Sequence, residues 1–249
     1  MERKLDWKPR FDERSKNYPV RGILKKRVER KNVLWVAGPI LDQKAEGACV
    51  GFGWTAEALA TPFVVNLKAI PYKVPKTPQP FARYVYSSAK VIDEYPGEDY
   101  EGTSVLAGAK VMQSLQTLAS YSWAFDSDDV IDALIQKGPV VLGINWYEGM
   151  YEAPNGVLSV NGEHVGGHCI LAIGYTVSSP KLGGKPSVTL QNSWGKKWGI
   201  NGLAEISVED LNKLMKEQGE ACIPSKTAYV KKLSLLDKIR SLFTKENMV

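Results

Sequence analysis

Long apolar runs are missing from this chain: no stretch approaches the roughly 20 residues that a membrane-spanning helix needs. The opening residues, MERKLDWKPRFDERSKNYPVR, hold no apolar core of the kind a secretory leader carries. Cysteine is scarce. Cys49, Cys169 and Cys222 are three in number, odd and too few for a disulfide framework. These absences lead us to expect a cytoplasmic protein in a reducing compartment. A dominant charge is also lacking, since a net +5 is too mild to announce a nucleic-acid binder, although the segment ending in KKRVERK is locally basic. Histidine is scarcest, with only His164 and His168. They lie four apart, the helical spacing of a zinc pair, but Gly166 and Gly167 argue against a helix there and no third ligand has suitable spacing. Neither a metal nor an organic cofactor is expected.

What is present divides the chain into regions. Residues 1–31 form a basic N-terminal extension without a helical apolar face. Residues 32–137 read mainly as helix, with a helix from Cys49 to Ala60, a Pro-led one over Phe81–Ile92, another after a Thr103 or Ser104 cap, and DSDDVIDALIQKG ending on Gly138. Residues 138–230 are strand-rich: PVVLGINW, GVLSV, HCILAIGYTV, SVTLQNSW and LAEIS are β-type runs separated by Gly, Pro and Asn. Residues 231–249 carry one apolar stripe, Leu235, Leu236, Ile239, Leu242 and Phe243, and read as an amphipathic helix docked on the protein's own core. Helices followed by strands predict an α+β fold with a cleft between the two parts.

One stretch demands a chemical explanation. QKAEGACVGFGW, Gln43 to Trp54, puts a cysteine among glycines at a helix start, six residues after a glutamine. An enzyme that activates a thiol by proton transfer has only the two histidines of NGEHVGGHCILAIGY to use. Further on, Asn192 in LQNSWGKKWGINGLAEIS sits at the end of an apolar strand, where its amide needs partners and an imidazole nitrogen suits it.

These stretches resemble the signatures of the papain-like cysteine peptidase family, in the same order from about Gln43 to Gly202. NSWGKKWGING is the most specific piece, GHCILAIGY is similar to the histidine motif, and QKAEGAC keeps the glutamine-to-cysteine spacing. The resemblance implies a two-lobed fold, with the nucleophile on the helical lobe facing an antiparallel, barrel-like strand lobe. It implies Cys49 as nucleophile, His168 as its base, Asn192 as the residue that orients the ring, and Gln43 with the Cys49 backbone N–H as oxyanion hole. Lowering a thiol pKa from about 8.5 to about 4 takes roughly 6 kcal/mol of differential stabilisation. A helix end supplies about 0.3–2 kcal/mol, so the imidazolium must carry most of it. For substrate binding the resemblance points to Gly102, Thr103 and Ser104, with Gly167 and Trp194 lining the cleft, Trp194 also shielding the His–Asn bond. The implied substrate is a peptide or protein in extended form.

The departures from the family pattern are informative. Glu46 stands where the family usually has a cysteine, Val50 replaces an aromatic, and Gly167 precedes the histidine. The missing neighbouring disulfide agrees with a reducing compartment, and a phage or microbial source would suit such a member. Cys169 and Cys222 read as core residues. His164 shares a strand face with His168 and ranks as a distant rival base. The same four residues would serve an amidase or an acyl transferase, and a binding module that kept the fold is a further alternative. Because they are basic and weakly structured just ahead of the enzyme core, we also expect residues 1–31 to lie over the cleft or over a partner and restrain activity.

Overall fold

The computed structural model describes residues 3–9, 12–24, 27–95, 100–226 and the backbone of 231–232. The predicted C-terminal helix over 233–249 lies outside the described residues. Of that predicted helix, 231 and 232 are strand instead, pairing antiparallel with Phe63–Val64. Among the described residues no helix is long and apolar enough to cross a membrane, and no group of three His, Cys, Asp or Glu side chains could hold a metal.

The strands are β1 (Val33–Leu34), β2 (Phe63–Val64), β3 (Leu118–Ala124), β4 (Val140–Tyr147), β5 (His164–Thr176), β6 (Ser187–Gln191), β7 (Leu203–Ser207), β8 (Glu220–Lys226) and β9 (Lys231–Lys232). One sheet runs in the order β3-β8-β4-β5-β6-β7, with β1 added to β5, and its pairings are antiparallel. The α+β class and the antiparallel sheet agree with the sequence expectation. The sheet stays open, however, and does not close into the barrel-like form expected. A second departure is β3, which precedes residue 137 in the part read as helical yet pairs with β8 at the far end of the chain. GVLSV forms no strand; only Val157 bridges Glu205.

The helices are α1 (Cys49–Leu59), α2 (Pro78–Ile92), α3 (Val105–Ser114), α4 (Ser127–Gln136) and α5 (Val208–Lys216). Each begins where local chemistry dictates. Asp126 and Ser207 cap α4 and α5 by accepting the N–H of Asp129 and Asp210, and Ser104 caps α3 by accepting that of Ala107. Pro78 starts α2, at a position whose N–H would have no helical partner anyway. Residues 49–58 of α1 are all buried, so it is apolar all round and runs through the interior.

Alternation along the central strands builds two cores. In β5, Cys169, Leu171 and Ile173 join the cluster of α1, α2 and α3, whereas Ile170 and Ala172 join the cluster of α4 and α5. Both faces of the sheet are covered, which explains why CILAIGY reads as a continuous apolar run rather than an alternating one. Cys169 packs against Gly53 of α1, and all three cysteines are buried and free. His168 has the even parity, facing away from Cys169.

Lys226 of β8 reaches into this interior to pair with Glu57 of α1, and both side chains are almost fully buried. Burial raises the Glu57 pKa, and the Lys226 cation opposes that rise. Lys226→Met should therefore destabilise the fold by about 3–5 kcal/mol near neutral pH, because it strands a buried carboxylate. The loss should shrink as pH falls and Glu57 takes up a proton. Urea unfolding of both chains at several pH values checks this; a pH-independent difference below 1 kcal/mol would contradict it.

Candidate active site

Helix α1 has Ala48 at its N-cap and no side-chain capping bond. Its first-turn N–H groups therefore remain free for another acceptor. Backbone hydrogen bonds from Cys169, Asp6 and Val50 reach the Cys49 sulfur. The thiol thus lies between the start of α1 and the part of β5 that carries His168. Gln43 precedes it on a loop pinned to the NSW segment: its N–H donates to Ser193 O (2.8 Å), and Ser193 Oγ donates to Gln43 Oε1 (2.7 Å). That leaves Nε2 as donor, and it meets Glu46 O at 2.9 Å and Lys4 O at 3.3 Å.

Antiparallel pairing of β5 with β6 brings Asn192 to His168. His168 Nε2 and Asn192 Oδ1 are 2.7 Å apart. An amide oxygen is only an acceptor, so Nε2 carries the proton and Nδ1 is the nitrogen with the lone pair. Nδ1 is buried without a hydrogen-bond partner among the described residues. Trp194 and Trp146 lie against the imidazole, with ring centroids 4.8 and 4.7 Å away. They keep water from the His–Asn bond and fix the plane of the ring. Trp146 was not singled out in the sequence; its position two residues after Ile144, the register partner of His168, is the signal that locates it. His164 is exposed and stacks edge-on with Tyr147, away from this arrangement.

The cleft is occupied by the chain's own N-terminal segment. Trp7 N–H donates to Gly167 O (2.9 Å), Lys8 N–H to Thr103 O (3.1 Å), and Thr103 N–H to Asp6 O (3.2 Å). Residues 6–8 thus pair with both walls of the cleft at once. Of the residues assigned to substrate binding, Gly102, Thr103 and Gly167 meet this segment. Gly102 has φ +85°, and a Cβ there would stand 1.7 Å from Asp6 O, so only glycine fits. Ser104, next in the chain, accepts the Ala107 N–H and so caps α3. Trp194 is 1% exposed and serves as a cover for His168 rather than as an open cleft wall. Arg3 secures the start of the segment by bonding Asp42 Oδ1 (2.6 Å) and Trp194 O (2.8 Å).

Occupation sets the electrostatics. Cys49 and His168 are both fully covered. Burial, the largest influence, pushes the Cys49 thiol up to about 11, against the hydrogen bonds that favour the thiolate. Burial likewise lowers His168 to about 4, against the Asn192 hydrogen bond. In the covered cleft, burial thus favours the neutral thiol and the neutral imidazole over the charged pair expected from the sequence. Burial, with nearby Glu101, raises the Asp6 pKa, and this carboxyl group beside the sulfur disfavours a thiolate. As a consequence, alkylation of Cys49 in the intact chain should climb steadily with pH toward about 11. A plateau reached below pH 7 would mean that the covering segment leaves freely. Iodoacetamide labelling followed by mass spectrometry reads this directly.

A model of the papain family of cysteine proteases ("Papain family cysteine protease") matches residues 75–223, more than half of the chain. The matched part holds His168 and Asn192 but begins after Gln43 and Cys49. Cathepsin Q of Rattus norvegicus is 30% identical over 96 residues, 35% of this chain and 26% of that protein. Cysteine proteinase 1 of Zea mays is 32% identical over 117 residues, 45% of this chain and 31% of that protein. The alignments thus span only about a quarter to a third of these relatives' length. Among solved structures, xylellain, a cysteine protease from Xylella fastidiosa, superposes with a TM-score of 0.62 at 15% identity, covering 91% of this chain and 98% of that one. The bromelain protease of Ananas comosus superposes with a TM-score of 0.53 at 16% identity, covering 80% and 100%. At those identities the likeness is one of fold.

Proposed function

Because the chain belongs to the papain family of cysteine proteases, we propose that it hydrolyses peptide bonds with Cys49 as nucleophile and His168 as base and acid. Cys49 Sγ loses its proton to His168 Nδ1 and attacks the scissile carbonyl. The carbonyl oxygen becomes an oxyanion that accepts hydrogen bonds from Gln43 Nε2 and the Cys49 N–H. The C–N bond breaks as the imidazolium returns the proton to the leaving amine. Water, deprotonated by His168, then cleaves the thioester and restores the thiol.

The observation that carries this reading is the 2.7 Å His168–Asn192 bond, which dedicates Nε2 to holding the ring and leaves Nδ1 for proton transfer. The Lys4 carbonyl on Gln43 Nε2 supports the oxyanion role, since a carbonyl oxygen already occupies that donor. Removing such a donor raises a barrier by about 2.7–4 kcal/mol.

The same reading makes residues 3–8 an internal brake. They fill the cleft, bond to both walls and hold the two reacting groups neutral, so a substrate must displace them. A library of fluorogenic peptide amides, offered to the parent chain and to a Trp7→Ala chain, tests the reading. Turnover that depends on Cys49 and is faster in the Trp7→Ala chain is the expected result. Cleavage of simple amides but of no peptide would instead favour an amidase using the same residues. Absence of any turnover, with Cys49 accessible, would leave a binding module.

A further inference from the structure

The loop that carries Gln43 is gripped from one face of α2. Gln79 Nε2 donates to Asp42 O, and Gln79 Oε1 accepts the Asp42 N–H at 3.3 Å. One turn further along the helix, Arg83 lays its guanidinium on the Glu46 carboxylate. Its Nε lies 2.9 and 2.8 Å from Oε1 and Oε2, and its Nη2 lies 2.8 Å from Oε1. Residues four apart on a helix share a face. Gln79 and Arg83 thus hold residues 42 and 46, on either side of Gln43 in the chain.

Glu46 passes that grip to the amide. Its N–H donates to Gln43 O (3.2 Å), and its carbonyl accepts from Gln43 Nε2 (2.9 Å). One hydrogen of Nε2 is therefore committed to Glu46 O, and the other is left for the Lys4 carbonyl in the cleft. Helix α2 is in turn fixed to the helix of the nucleophile. A Cβ at Gly51 would stand 2.2 Å from Ala82 O and 2.6 Å from Tyr86 N, so the backbones of α1 and α2 touch two residues after Cys49. Ala82 also packs with Leu41, Ala48 and Phe52, which joins both ends of the loop to α1.

We infer that Gln79 and Arg83 are positioning residues that set the Gln43 amide against the Cys49 N–H, so that two donors from separate parts of the chain converge on one oxygen. Such donors lower a barrier only if they are in place before the charge develops. The Cys49 N–H is placed by α1 itself. The Gln43 amide comes from a loop, in which the backbone of Lys44 is left-handed (φ +59°), and it needs an outside frame. Arg83 and Glu46 are 41% and 43% exposed, and exposed ion pairs add little to stability. The two-pronged fork therefore acts on orientation more than on the hold of the fold.

The oxyanion role of Gln43 rests on the peptidase reading, so the test has one arm that needs no turnover. In the full chain carrying isotope-labelled glutamine, the side-chain amide signal of Gln43 is assigned by its loss in Gln43→Glu. Arg83→Met combined with Gln79→Leu should shift or broaden that signal. Melting temperatures should fall by no more than about 4 °C, which shows that each chain folds. The second arm uses the Trp7→Ala chain and a peptide amide. There Arg83→Met should lower kcat about tenfold with KM little changed, since misplacing a catalytic group slightly can cost up to about a hundredfold. Once Gln43→Ala has removed the donor, the same Arg83→Met should cost less than about twofold, because the two act as one unit. Alkylation of Cys49 by iodoacetamide builds no oxyanion and should change less than about threefold. A Gln43 signal identical in both chains would overturn the inference. So would a fall in kcat of the same size with and without the Gln43 amide, or an equal fall in alkylation. If the signal moves while no chain cleaves any peptide, the clamp on Gln43 stands and the peptidase reading falls.

Discussion

A Trp7→Ala chain should alkylate at Cys49 about a hundredfold faster than the parent at pH 7. Emptying a site that holds a buried tryptophan costs about 3–5 kcal/mol. The indole is the principal apolar anchor of the N-terminal segment, together with one hydrogen bond to Glu220 and the backbone bonds to Gly167 and Thr103. Since about 1.4 kcal/mol is a factor of ten, loss of the anchor moves the open population by two or more powers of ten. Opening also removes the burial that holds the thiol near pKa 11, so the sulfur regains access and ionisation together. The pH profile should change shape as well, with half-maximal labelling falling below the ordinary thiol value of about 8.5 once a charged imidazole can face the sulfur. Lys4→Ala is the matched control. Its ion pair with Glu101 lies in solvent, so it should alter labelling less than threefold. Equal rates for the parent and the Trp7→Ala chain would show that the segment does not restrain the thiol.

His168→Ala, placed in the Trp7→Ala chain, should lower kcat/KM by about 10²–10⁴, the range that a positioned proton-transfer group contributes. The substitution should also return Cys49 to an ordinary thiol titrating near 8.5, because the imidazolium that would stabilise its thiolate is gone. The ring is held between Trp146 and Trp194, so its removal opens a cavity, and a thermal melt is needed to separate lost chemistry from lost fold. Asn192→Ala discriminates between the two. It leaves the ring in place but unheld, so activity should fall while the low-pH labelling of Cys49 is partly retained. If His168→Ala left both turnover and the labelling profile unchanged, another base would be at work. The exposed His164, the sole other histidine of the chain, would be the first to examine.

Much of the site could be read in the sequence because its residues sit on short motifs that also determine local structure. GACVGFGW places Cys49 at the first turn of a buried helix, and CILAIGY is apolar throughout because both faces of β5 are covered. The parity of a strand then fixes that His168 and Cys169 face opposite ways. NSWG brings an amide to the strand end where the imidazole waits. Such information is local, set by periods of 2 and 3.6 and by caps, and a sequence displays it directly. Ser104 also caps α3, because a serine hydroxyl ahead of a helix accepts a first-turn N–H.

Other features are joined across the whole length of the chain, and no local pattern announces them. β3 looked like part of a helical region because its partner, β8, is about a hundred residues away in sequence. Trp7 lies in a basic, proline-containing segment, and only the fold places it beside Gly143, Gly167 and Glu220. Glu220 is set opposite a glycine only by the register of β4 and β8. The ionisation of the reacting groups belongs to the same class. The sequence supplies a cysteine, a histidine and an asparagine, but their charge depends on how much water remains around them. In this fold the chain's own residues 3–8 cover both groups, so sequence determined which groups are present, and tertiary burial favours their uncharged forms.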